Sequence, residues 1–173
     1  NWGQSTVVSD ITVAGNATKK YESLNYQGVQ FASGIDASTM ANLHLDLWTP
    51  NCTSFQVFLI NTPGGEKAYT ITPTLSGWNS IDIPLSHYTS GGGYTVNLSN
   101  IGQLKLVGTP FGSSTVYLDN IYFWKPAGVV PTLSNFTVPA KVMGDAPFTL
   151  TAPTSNSAGA FTYTSGNTNV ATI

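Results

Sequence analysis

The 173-residue sequence predicts an all-β protein, a jelly-roll β-sandwich followed by an incomplete immunoglobulin-like (Ig-like) β-sandwich. Short segments in which apolar and polar residues alternate continue from end to end, separated by Gly, Pro, Asn and Ser. Aromatic residues make up 12% of the chain, which favours strands. We find no segment with the spacing of an amphipathic helix.

Eight strands are predicted in the first part of the chain. The clearest runs from Asn42 to Trp48, where three leucines alternate with Asn, His, Asp and Trp, so that one face must belong to the core. The other seven cover residues 6–13, 26–31, 54–60, 68–72, 78–85, 104–107 and 116–125. Strands this short, spaced about eight to twelve residues apart, are typical of a jelly-roll sandwich.

A domain boundary is predicted at residues 126–131, where two prolines and a glycine form a short, stiff linker. It separates a jelly-roll domain, residues 1–125, from a partial Ig-like domain, residues 132–173. An Ig-like sandwich has about seven strands. The second domain offers only four, at residues 135–138, 147–152, 160–164 and 169–173. Its apolar residues would therefore lack cover on one side.

Several segments carry resemblances to known families. Residues 77–86 and 98–106, with the closing Leu-Asp-Asn-Ile-Tyr-Phe of residues 118–123, resemble the jelly-roll carbohydrate-binding modules of secreted bacterial glycoside hydrolases and surface proteins. Residues 136–148 and 161–173 resemble the first half of a bacterial Ig-like (BIG-type) repeat, a family that often forms extracellular stalks. The resemblances imply a secreted protein of the bacterial exterior or cell surface.

Composition excludes several classes of function. With six lysines, no arginine and eight carboxylates, the chain lacks the cations that nucleic-acid binding needs. Its apolar runs are far shorter than the roughly 20 residues of a membrane-spanning helix. Glycoside hydrolysis needs two carboxylates facing one cleft, and Asp46, Asp82 and Asp119 form no recognisable pair. We therefore expect no catalytic activity and no required cofactor.

A carbohydrate site is predicted on the polar face of the clearest strand, at Asn42, His44, Asp46 and Trp48. Sugar rings stack their C–H faces on aromatic side chains, and their hydroxyls exchange hydrogen bonds with amides, carboxylates and imidazoles. The alternative is that these four residues form an ordinary solvent face. Trp78 and Trp124, which bound apolar runs, are expected to pack in the core or at a sheet end.

Two further kinds of site are predicted. The resemblance to jelly-roll modules implies a structural calcium ion at Asp119, and Asp10 or Glu22 could add oxygen ligands. Four Asn-x-Ser/Thr sequences mark candidate glycosylation sites that would make the chain a glycoprotein. They lie at Asn16, Asn51, Asn97 and Asn135.

The sequence predicts two alternative functions. The first is a non-catalytic structural subunit of a surface fibre or filament, a homo-oligomer or polymer in which a neighbouring chain adds a strand to the open Ig-like edge. The segment Ser5 to Val8 is the candidate donor strand. The predicted subunit contacts are Thr6, Val7, Val8, Phe136, Phe148, Phe161 and Tyr163. The alternative is the glycan-binding module of a secreted glycoside hydrolase or adhesin.

Overall fold

A computed structural model describes residues 2–128 and 130–173. The chain divides into two compact units, one ending at Pro126 and the other beginning at Ala127. This division falls inside the predicted linker, of which Val129 lies outside the described residues, as does Asn1 of the predicted first domain.

The first unit is a sandwich of two antiparallel sheets, as predicted. Its strands are β1 (Val7–Val13), β2 (Asn16–Leu24), β3 (Tyr26–Ile35), β4 (Asn42–Trp48), β5 (Ser54–Ile60), β6 (Glu66–Ile71), β7 (Trp78–Pro84), β8 (Ile101–Thr109) and β9 (Ser114–Trp124). The order is β1-β2-β9-β4-β7 in the five-stranded sheet and β3-β8-β5-β6 in the four-stranded sheet. A short helix, α1 (Leu85–Thr89), follows β7.

Strand β2 was not predicted from the sequence; all of β1 pairs with it, from Val7↔Glu22 to Val13↔Asn16. Two lysines and several other polar residues weaken the alternation of apolar and polar side chains in β2. The strand tolerates them because Asn16, Ala17 and Lys19, near its beginning, are exposed. The missed signal is Ala14-Gly15 between two paired segments, a two-residue hairpin turn.

The core lies between the two sheets. Leu43, Leu45 and Leu47 of β4 are at most 2% exposed, and residues such as Phe55 and Leu59 of β5 face them from the other sheet. Burying a leucine side chain stabilises a fold by about 1.5–3 kcal/mol. Side chains alternate along a strand. The burial of these leucines therefore turns the polar residues of β4 away from the core, onto the outer face of the five-stranded sheet.

The second unit differs from the prediction. Its described residues form two short strands, β10 (Leu133–Ser134) and β11 (Thr154–Ser155), paired antiparallel. The four predicted strands at 135–138, 147–152, 160–164 and 169–173 are not formed. Alternating apolar residues are not sufficient for a strand, which also needs a neighbour for its backbone hydrogen bonds. The Ig-like repeat therefore remains a prediction from the sequence.

Candidate functional site

The outer face of the five-stranded sheet carries the four residues of the predicted carbohydrate site. Asn42, His44, Asp46 and Trp48 lie side by side on β4, which is flanked by β9 and β7. The two neighbouring strands extend this row. Tyr117, Asp119 and Tyr122 of β9 and Trp78 and Asp82 of β7 occupy the positions directly across from them.

One end of this face is an aromatic cluster of Trp48, Trp78 and Tyr117. The rings of Trp48 and Tyr117 meet edge to face, with centroids 5.1 Å apart. Trp78, paired with Trp48 across the ladder, is 49% exposed. The three side chains and Val13 line a cavity of about 220 Å³. Trp78 was expected to pack in the core or at a sheet end; its position on the outer face, at the start of an edge strand, leaves half of it exposed.

The middle of the face is polar because β9 contains a bulge there. The register between β4 and β9 shifts between His44 and Asp46, and Asn120 has a φ of +50°. Asn120 Nδ2 donates to Asp46 Oδ2 at 2.7 Å. Asn16 Nδ2 donates to Asp119 Oδ2. These four residues line a cavity of about 280 Å³ that extends to Trp78.

A second aromatic group surrounds His44. Its imidazole stacks on the Tyr122 ring, with centroids 4.8 Å apart and an interplanar angle of 25°. Its Nδ1 lies 2.8 Å from Asp82 Oδ1, and its Nε2 lies 3.5 Å from Asp46 Oδ1. Trp124 Nε1 also donates to Asp82, at 2.8 Å. The hydrogen bonds from His44 and Trp124 hold the pKa of Asp82 below its ordinary value.

This arrangement has the chemical groups needed to bind a polyhydroxylated ring. Exposed indole and phenol rings offer flat apolar surfaces for C–H faces, and the amides and carboxylates between them accept from and donate to hydroxyls. Asn42, His44, Asp46 and Trp48 are thus brought together with aromatic partners. Tyr117, Tyr122 and Asn120 were not predicted as site residues because only the pairing of β4 with β9 places them here.

The calcium ion predicted at Asp119 fits poorly. Asp10 is paired with Lys19, and Glu22 with Lys20 at 2.7 Å, so neither is a free carboxylate for Asp119. Asp119 already accepts hydrogen bonds from Asn16 and from the Asn120 backbone N–H. Within residues 2–128 and 130–173, no three His, Cys, Asp or Glu side chains are placed to hold a metal ion.

The four candidate glycosylation sites differ in how their side chains are used. Asn16 donates to Asp119, and Asn135 donates to Thr154 Oγ1 at 3.2 Å. Asn51 is bonded through both amide atoms, to the Ser113 carbonyl and the Thr115 N–H. Asn97 is exposed and accepts from Ser99 through Oδ1. Within the part of the chain that the structure describes, its Nδ2 has no hydrogen-bond partner.

The predicted subunit contacts fall into two groups. Val7 and Val8 are already paired with β2, and Thr6 is 5% exposed beside Tyr26. Donation of Ser5 to Val8 to another chain would therefore require breaking the β1–β2 ladder at Val7 and Val8, and the donor-strand role stays a prediction. In the second unit the contact residues lie together. Phe136, Phe148 and Tyr163 line one cavity of about 460 Å³, and Phe161 lines an adjacent one with Phe136 and Tyr163.

Solved structures similar to this chain include carbohydrate-binding modules and an agarase. A family 11 carbohydrate-binding module from Clostridium thermocellum, in complex with a β-1,3-1,4-mixed-linked tetrasaccharide, has 23% identity and a TM-score of 0.50, covering 71% of this chain and 85% of that one. An exo-β-agarase has 17% identity and a TM-score of 0.57, over 71% of this chain and 22% of the enzyme. A family 29 module has 10% identity and a TM-score of 0.50, over 70% and 77%.

These similarities confirm the jelly-roll β-sandwich of the first unit. No family model matches the sequence, and no curated protein matches it. The filament subunit predicted from the sequence is not supported by these comparisons. Among residues 2–128 and 130–173, there is no helix long and apolar enough to cross a membrane.

Proposed function

We propose that the first unit is a non-catalytic carbohydrate-binding module whose ligand lies on the outer face of the five-stranded sheet. The observation that carries this proposal is the arrangement of two aromatic groups, Trp48 with Trp78 and His44 with Tyr122, on either side of the Asp46–Asn120 hydrogen bond. We further propose that the protein acts outside the cell. The similar structures, which include a module of a cellulosomal cellulase, support this location.

The spacing of the two aromatic groups indicates an oligosaccharide rather than a single sugar. Trp48 and His44 are four residues apart on one strand, which separates their Cα atoms by about 14 Å. The polar residues between them can bind the hydroxyls of a sugar chain that contacts both groups. A monosaccharide would contact only one.

Affinity electrophoresis against soluble glucans, xylans, mannans and agarose tests the proposal. We expect at least one glycan to retard the wild-type protein and Trp48→Ala to abolish most of that retardation. Trp2→Ala is the matched control, because Trp2 is also half exposed but stacks over Gly28 on the other sheet. If Trp48→Ala left the retardation unchanged, the proposed position of the binding site would be wrong.

A further inference from the structure

The β1–β2 hairpin leaves the five-stranded sheet before its turn. The ladder between β2 and β9 ends at Lys19↔Leu118, whereas β1 and β2 stay paired as far as Val13↔Asn16. Residues 11–18, here called the hairpin arm, therefore extend beyond the ladder as a two-stranded ribbon. Ala14 and Gly15 close the arm with φ values of 50° and 86°, as a type I′ turn requires.

The arm lies over the outer face of the sheet. Val13 lines a cavity with Trp48, although β2 and β9 stand between β1 and β4. With about 4.8 Å between neighbouring strands, a flat sheet would hold β1 about 14 Å from β4. Val13 can approach Trp48 only if the arm bends over the face. Thr18 shows the same bend, because it is 4% exposed at a position that points outward.

The tip of the arm is fixed to the middle of the site. Asn16 Nδ2 donates to Asp119 Oδ2, next to the bulge of β9. Val13, Ala14 and Asn16 then form one side of the 280 Å³ cavity, and Trp78 lies on another. The cavity is therefore a groove with a wall of backbone and short side chains along one flank.

We propose that the hairpin arm restricts this site to uncharged, linear glycans whose sugars carry no side chains. The inference rests on the proposed function. A chain stacked on Trp48 and Trp78 has one flank against Val13 and Ala14, where a branching sugar would collide with the turn. Asp46 and Asp119 line the same cavity, and Lys20, which lies over the Tyr117 ring, is paired with Glu22, so acidic sugars are repelled. Val13 and Ala14 are thus specificity-determining residues.

Matched pairs of oligosaccharides that share a backbone test this selectivity. Cello-oligosaccharides are compared with xyloglucan oligosaccharides, and manno-oligosaccharides with galactosylated ones, by isothermal titration calorimetry. We expect the wild-type protein to bind the linear member of the pair it recognises at least ten-fold more tightly. Oligogalacturonate should bind no more tightly than the substituted chains.

A shortened arm provides the decisive variant. Deleting Thr12, Val13, Asn16 and Ala17 keeps the Ala14-Gly15 turn between Ile11 and Thr18 and preserves the alternation of both strands. We expect the discrimination to fall below about three-fold because the substituted chains gain affinity. Val13→Ala should give a smaller change in the same direction if the shortened chain does not fold. Val7→Ala, on the same face at the other end of β1, should change nothing.

The inference would be overturned if the wild-type protein bound linear and substituted chains with equal affinity. It would also be overturned if the shortened variant folded and kept the full wild-type discrimination. If the shortened variant does not fold, full discrimination in Val13→Ala would overturn the inference instead. Any of these results would leave glycan binding itself intact. Failure of the wild-type protein to bind any of these glycans or those of the wider panel would overturn the proposed function, and the inference with it.

Discussion

Trp48 of β4 and Trp78 of β7 stand directly opposite each other in the antiparallel ladder, and both side chains face away from the core. Two indoles at paired positions form a wider apolar surface than either forms alone. Exposed apolar patches of this kind usually mark a binding site. The pair thus defines the aromatic end of the proposed glycan groove.

The backbone conformation of Asn120 and its side-chain hydrogen bond can be tested separately. Gly and Asn tolerate the φ of +50° found at position 120, whereas a β-branched residue there lowers the free energy of unfolding by about 1–2 kcal/mol. We expect Asn120→Gly to unfold in urea like the wild type but to lose glycan affinity, since Asp46 loses its donor. Asn120→Val should also unfold at lower urea concentration. Equal stability of the two variants would contradict the left-handed conformation.

The hydrogen bonds that Asp82 accepts predict a pH dependence of stability. Its folded pKa is lowered by His44 and Trp124, so its stabilising effect is present above the unfolded value of about 3.9 and is lost as the pH falls through the folded value. The difference in free energy of unfolding between wild type and Asp82→Asn should therefore shrink below pH 4. Because Asp82 is about half exposed, with a side-chain exposure of 48%, the effect is small. A difference that grows on acidification would contradict this account.

Calcium should have little effect on the folded protein. The carboxylates of Asp46 and Asp119 already accept hydrogen bonds from asparagine side chains, and Asp10 and Glu22 are paired with lysines. We expect the same melting temperature in calcium chloride and in EDTA. A rise with calcium that Asp119→Asn removes would instead support the site implied by the family resemblance.

Among the four candidate glycosylation sites, Asn97 is the one we expect to be occupied. Both Asn97 and Asn51 are exposed, but Asn97 Nδ2, the atom that carries an N-linked glycan, makes no hydrogen bond within the described residues, whereas Asn51 Nδ2 is bonded to the Ser113 carbonyl at 2.9 Å. After secretion from a host that N-glycosylates proteins, glycopeptide mass spectrometry should show the highest occupancy at Asn97. Asn97→Gln is the control. Equal occupancy at Asn51 would show that the folded contacts do not select the site.

The sequence predicted most of the first unit because its strands follow simple alternation. The three leucines of β4 determined which face is buried, and therefore placed Asn42, His44, Asp46 and Trp48 on one surface. The partners of these residues could not be predicted. Strand order and the bulge at Asn120 arise from pairing between segments about 70 residues apart, which alternation alone does not reveal.

The second unit shows the opposite outcome. Phe136 and Tyr163 do approach each other, with ring centroids 5.8 Å apart, but without the predicted strands. Apolar alternation identifies side chains that favour burial, whereas a strand also depends on backbone partners that lie elsewhere in the chain. The described residues of this unit provide only the short β10–β11 ladder.

Glycan binding on the outer face of the five-stranded sheet is tested most directly by calorimetric titration of the glycan that retards the wild-type protein most. We expect Trp48→Ala and Trp78→Ala each to weaken binding at least ten-fold, about 1.4 kcal/mol, while Trp2→Ala keeps wild-type affinity. Circular dichroism of each variant confirms that it is folded. Wild-type affinity in both folded groove variants, or an equal loss in Trp2→Ala, would contradict the account.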